Sequence, residues 1–165
     1  MREKKDMMVN AVCRWWKLCH SDSSLSSFKA DLAALRRCHS VSEVMFVPAF
    51  HRLVSMSNTE LNDMKTLHSL AVAAWVLSWV DEKQDVKFAE QIAKNDPPVR
   101  SIRFRRLLEC SSHDELGMQL IRMVRLMKNT ANVSDLSQGI LSWMSGTWVQ
   151  ERWASTYYAN MPEEK

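Results

Sequence analysis

Between Leu67 and Val80 lie fourteen residues without one Asp, Glu, Lys or Arg, and only His68, Ser69 and Ser78 among them are polar. A helix built from this segment is apolar on nearly every side, so other protein has to surround it. It falls short of the roughly 20 residues needed to span a bilayer. The segment is therefore read as a central buried helix, and the rest of the chain must cover it. Three glycines and four prolines in 165 residues leave little material for the tight turns of a β fold. The covering elements are expected to be helices, and the fold all-α.

Apolar spacing places those helices. Met8, Val12, Trp15 and Trp16 mark one side of an opening helix that reaches about Leu18. A serine-rich loop, Ser21 to Ser27, leads to Phe28, Leu32 and Leu35 at i, i+4 and i+7, with Arg36 and Arg37 near the helix end, where cations complement the dipole. Ser40-Val-Ser-Glu43 has the spacing of a capping box, as do Ser57-Asn-Thr-Glu60, expected to open the buried helix, and Ser112-His-Asp-Glu115. Pro48 suits the first turn of a short helix through Phe50 and Leu53. Asp81 to Asp85 reads as a solvated break, after which Phe88 and Ile92 mark a shorter helix. Asn95-Asp-Pro-Pro98 is the clearest linker. It predicts two small helical bundles packed together, an N-terminal lobe over 1–95 and a C-terminal lobe over 96–165. In the second lobe Phe104, Leu107 and Leu108 form one face. Leu116, Leu120, Met123, Val124 and Met127 form the next, with Met118, Ile121 and Leu126 outside that stripe. Ser134 is expected to start a helix through Trp143, Gly146 to end it, and Trp148 to Tyr158 to form the last.

Charge is distributed unevenly. The net charge is only +3, yet residues 99–128 hold Arg100, Arg103, Arg105, Arg106, Arg122, Arg125 and Lys128 against Glu109, Asp114 and Glu115. Arginine offers a planar fork matched to phosphate oxygens, and several of them on rigid helices suit a polyanion. Arg105 and Arg106 point away from the Phe104 face, and Arg122 and Arg125, three residues apart, share one basic spot. Arg103 lies one helical step from that face, so packing of its stem and contact with nucleic acid both remain open.

Other chemistry finds little support. The four cysteines form no Cys-x-x-Cys pair, and the first residues are too polar for a signal peptide, so reduced thiols and a cytoplasmic location are expected. Cys19-His20 and Cys38-His39 match no zinc-finger spacing. There is no P-loop, no Gly-x-Gly-x-x-Gly and no His-Glu-x-x-His, and His113 reads as a surface residue. No enzyme activity, metal, cofactor or small-molecule substrate is expected. Most of the seven tryptophans are assigned to the core, with Trp16 and Trp148 the least committed by pattern. The eleven methionines suit adaptable interfaces as well as cores.

Leu35-Arg-Arg37, Val47-Pro-Ala-Phe-His-Arg-Leu53, Arg103-Phe-Arg-Arg-Leu-Leu108, Glu115-Leu116, Leu141-Ser-Trp143 and Trp153-Ala-Ser-Thr-Tyr-Tyr158 follow one another in that order. Together they resemble the CasB-type small subunit of the type I-E CRISPR Cascade complex, over most of the chain. The resemblance implies a non-catalytic, all-helical protein of antiviral defence. It implies partners too: other Cascade subunits, a second copy of the chain, and the backbones of guide RNA and target DNA, held so that the R-loop and its displaced strand are stabilised. The residues it points to are Arg36, Arg37, Arg52, Lys65, Arg103, Arg105, Arg106, Arg122 and Arg125; Lys128 joins them from the basic cluster. Glu90 and Glu109 depart from the family's more basic pattern. Two other readings are a pure scaffold, whose arginines pair with acidic subunits, and a general helical DNA-binding protein. The latter would need a helix-turn-helix reading face that the sequence does not display.

Overall fold

The computed structural model of the chain describes residues 2–21, 26–95 and 101–162. Most of the serine loop and of the Asn95–Pro98 linker, together with Arg100, lies outside them. The elements are α1 (Arg2–His20), α2 (Ser26–Arg36), α3 (Val41–Val44), α4 (Pro48–Ser57), α5 (Met64–Leu77), β1 (Glu82–Lys83), α6 (Phe88–Asn95), α7 (Ser101–Leu108), α8 (His113–Leu126), β2 (Thr130–Ala131), α9 (Val133–Ser142) and α10 (Trp148–Asn160). The fold is all-α; β1 and β2 are two-residue strands paired in parallel, Glu82 with Thr130 and Lys83 with Ala131.

Most of the uncharged segment, Leu67 to Leu77, lies in α5, and ten of the fourteen residues of that helix are buried. Helices from both halves of the chain cover it: α1, α2, α3 and α4 from the first, α8 and α9 from the second. Around this axis α1 packs on α4 and α9, and α6 packs on α10. The buried face of α1 is Met8, Val9, Ala11, Val12, Trp15, Trp16 and Cys19, the recurrence expected of a one-sided helix.

Four tryptophans fill this core and also tie it together. Trp15 Nε1 donates to the Ala49 carbonyl at 2.9 Å, and Trp16 Nε1 to Val80 at 3.0 Å. Trp75 Nε1 donates to Cys38 at 3.2 Å, and Trp143 Nε1 to Cys110 at 3.0 Å. Val80, Cys38 and Cys110 each lie just past the end of a helix, where carbonyls lack an intrahelical donor. Each of these indoles therefore supplies apolar volume and satisfies a buried acceptor in one step. Trp16, which the sequence pattern leaves open, belongs to this set.

Two helix starts differ from the sequence expectation. Ser57 ends α4 instead of opening α5; Asn58 follows it in the left-handed region, and Asp63 caps α5 by accepting from the Thr66 N–H. An aspartate is as good a cap as serine, and the box spacing alone does not separate the two. Likewise Asn132, not Ser134, caps α9. The boxes at Ser40 and Ser112 form as expected, accepting from the N–H groups of Glu43 and Glu115. Among the described residues no helix is long and apolar enough to cross a membrane.

A close backbone approach joins α8 to α5 at a glycine. A Cβ placed on Gly117 would sit 2.5 Å from Trp75 Cε3 and Cζ3, and Trp75 is only 2% exposed. Gly117→Ala would gain about 1 kcal/mol in helix propensity, but overpacking costs about 1–3 kcal/mol. We predict a net loss of about 1 kcal/mol or more, read as a lower urea midpoint with an unchanged slope; a raised midpoint would show that the indole can yield.

Candidate nucleic-acid interface

α8 presents two faces. Leu116, Leu120, Met123, Val124 and, at the helix end, Met127 are buried, while Arg122 and Arg125 are exposed at i and i+3, with Lys128 exposed just past the helix end. The core stripe thus fixes the opposite face as a basic ridge. Lys128 and Asn129 both take positive φ, 59° and 60°. They turn the chain into β2, whose pairing with β1 holds the segment after α5 beside the end of α8. The Asp81 N–H donates to the Asn129 carbonyl at 2.8 Å in the same junction.

This junction brings the two halves' arginines together. The Arg125 guanidinium lies 4.9 Å from the centre of the Trp79 ring, and that of Arg36 lies 5.4 Å from it. Such contacts orient both cations. Trp79 is half-buried, part core and part platform. Its spacing from Trp75 assigns it to the core; its position at the edge of the uncharged run, two residues before Asp81, is the signal for the second role. Arg36 is also held by its own chain: Nε donates to the Ser78 carbonyl and Nη2 to Asp81 Oδ1, each at 2.7 Å. Arg37 beside it is exposed.

α7 contributes Arg103, Arg105 and Arg106, all exposed. The helix is fixed from behind by fully buried Phe104 and Leu107, with Phe104 stacked on Tyr157 at 4.0 Å between ring centres. None of these three arginines, nor Arg122, Arg125 or Lys128, has a carboxylate partner among the described residues. Arg52 differs: it is paired with Asp31 and lies over the Phe28 ring at 4.5 Å. Lys65 is exposed on the first turn of α5, apart from the Trp79 junction, in a cleft with Lys5 and Ser145.

The remaining candidate groups are occupied in packing. Burial pushes the Cys19 and Cys110 thiols up to about 11, with Glu115 and Glu109 adding to the effect at Cys110. Both are therefore protonated near neutral pH. His113, read from sequence as a surface residue, is half-buried at the start of α8, against α5. Its Nε2 is 3.3 Å from Ser69 Oγ and its ring 5.5 Å from that of His68. Burial, then His68, lowers its pKa below the usual imidazole range, opposed by Asp114.

Comparisons with known proteins agree with this architecture. The family of CRISPR-associated protein Cse2 matches residues 31–158. A chain of Escherichia coli Cascade, solved bound to a PAM-containing double-stranded DNA target, superposes with a TM-score of 0.71 at 15% identity, over 91% of this chain and 97% of that one. CasB from Thermus thermophilus gives 0.68 at 20% identity, over 90% and 97%. A second Thermus thermophilus structure, of a CRISPR-associated protein of the Cse2 family, gives 0.64 at 20% identity, over 94% and 97%. At these identities the likeness speaks to the fold. No curated protein sequence matches the chain significantly.

Two outcomes follow from the geometry. Arg36→Ala removes a charged hydrogen bond to Ser78 and a partly exposed ion pair, and should cost about 1 kcal/mol after solvent screening; Arg37→Ala should stay within about 0.5 kcal/mol. Equal losses in urea unfolding would contradict the assignment of Arg36 as a structural tie. At His113 the folded pKa is lowered, so proton binding favours the unfolded chain. Its contribution is complete above about pH 6.5 and is lost as pH falls below that value. His113→Gln should therefore reduce the drop in melting temperature between pH 7 and 5.5, and an unchanged drop would count against it.

Proposed function

The chain belongs to the CRISPR-associated Cse2 family, and from that premise we propose that it serves as the small subunit of a type I-E Cascade complex. In this reading it grips nucleic-acid backbone without reading sequence, steadies the R-loop and its displaced strand, and carries out no chemical step. Its partners are other Cascade subunits, a second copy of itself, and the backbones of guide RNA and target DNA.

The observation that carries the proposal is the set of arginines on α7 and α8 with no in-chain carboxylate among the described residues. Their helices are fixed from behind by core residues, so ordering the site costs little when an anion arrives. Each phosphate neutralised releases counterions, a gain indifferent to base identity. In RNA-guided recognition pairing reads the sequence, and the exchange of duplex for heteroduplex is nearly balanced. Backbone contacts of modest strength are then enough to hold the opened state. Arg36 and Arg52, already engaged within the chain, contribute less free charge than Arg105, Arg106, Arg122 and Arg125. Met118, 43% exposed on α8, offers an adaptable apolar contact for a neighbouring subunit beside the basic ridge.

Replacing Arg105, Arg106, Arg122 and Arg125 together by alanine should leave thermal unfolding nearly unchanged. In an assembled complex it should speed target-strand dissociation by about ten-fold or more. Dissociation at the unsubstituted rate would favour the scaffold reading, in which these cations meet acidic subunits.

A further inference from the structure

A second basic surface lies on α1, outside the arginine cluster. Two adjoining clefts share Lys5 and Leu141. The first, about 190 Å³, runs between α1, α9 and α10 and is lined by Arg2, Lys5, Asp6, Trp148 and Arg152 among others. The second, about 160 Å³, continues to Lys65 and Thr66. One carboxylate, Asp6, faces three cations in the first cleft.

Three details indicate what this surface takes. Trp148 is 40% exposed, whereas the other tryptophans are buried or half-buried. The Arg152 guanidinium lies 5.2 Å from its ring centre, while Arg152 Nη2 is buried without a hydrogen-bond partner. Asp135 Oδ1 stands 4.0 Å from that nitrogen, a long ion pair, while its Oδ2 accepts from the Phe88 N–H at 2.9 Å. Among the described residues the Lys5 ammonium meets only hydroxyls, Ser142 Oγ at 3.4 Å and Ser145 Oγ at 3.5 Å. An exposed indole beside under-used cations is the pairing that single-stranded nucleic acid requires, ring for base and cation for phosphate. An acidic peptide would use the cations but has no use for the ring.

We propose that these clefts form a second track for single-stranded nucleic acid, with an unpaired base against Trp148 and its phosphates along Arg2, Lys5 and Lys65. Arg152 positions the indole through its contact with the ring and adds its charge to the cleft. The proposal rests on the reading that the chain holds nucleic acid, and it gives Lys65 a place apart from the α8 ridge.

The test is anisotropy of labelled oligothymidylate with the full chain, together with photocrosslinking of an oligonucleotide carrying 5-iododeoxyuridine. Trp148→Ala should weaken binding by about ten-fold, Trp148→Phe by no more than about three-fold, and the unsubstituted chain should crosslink at Trp148. Thermal unfolding checks that the alanine variant folds; the crosslink needs no variant. If Trp148→Ala binds normally and crosslinks map elsewhere, while substitution of the α7 and α8 arginines weakens binding, this inference falls and the proposed function stands. Absence of any oligonucleotide binding overturns both. Competition by polyglutamate that is unaffected by Trp148→Ala would assign the cleft to an acidic protein instead.

Discussion

The burial of α5 on all sides is the constraint from which the rest of the structure follows. A helix of Leu67, Leu70, Val72, Trp75, Val76 and Leu77 has no face that water can solvate cheaply. Helices from both ends of the chain therefore have to meet around it. Gly117 lets α8 come close enough for its backbone to lie on the Trp75 ring, and the Trp75 N–H closes off the carbonyl of Cys38. With α8 seated in this way, its buried stripe leaves Arg122 and Arg125 pointing outward. The basic ridge is thus a consequence of how the core is packed, held rigid by residues that never touch a ligand.

Positioning and neutralisation pull in opposite directions among the cations. Arg36 bridges Ser78 and Asp81 and lies over Trp79, so it fixes the junction between the segment after α5 and the end of α8. Much of its charge is spent there. The α7 arginines have no such partners among the described residues, and their helix is anchored by Phe104 on Tyr157. A protein that carries both kinds combines a fixed frame with free donors, which suits a role of holding backbone at low ordering cost.

Most of the architecture is legible from sequence because the signals are local. The uncharged run, the apolar stripes of α1 and α8, and the boxes at Ser40 and Ser112 each follow from spacing within one helix. What is not legible depends on contacts between distant segments. Asp63 and Ser57 are both competent caps, and only the turn at Asn58 decides between them. His113 looks like a surface residue until α5 brings Ser69 and His68 against it. Arg52 reads as a free cation until α2 presents Asp31. The cleft around Trp148 assembles residues from both ends of the chain, so no window of sequence contains it.

The most direct test of the central claim is the salt dependence of single-stranded oligonucleotide binding by the full chain, measured at three ionic strengths with scrambled sequences alongside. If the protein grips phosphates, about four to six at a time, log affinity should fall against log salt with a slope of about −3 to −4, the same for every sequence. Binding indifferent to salt, binding that prefers one sequence, or no binding at all would contradict it.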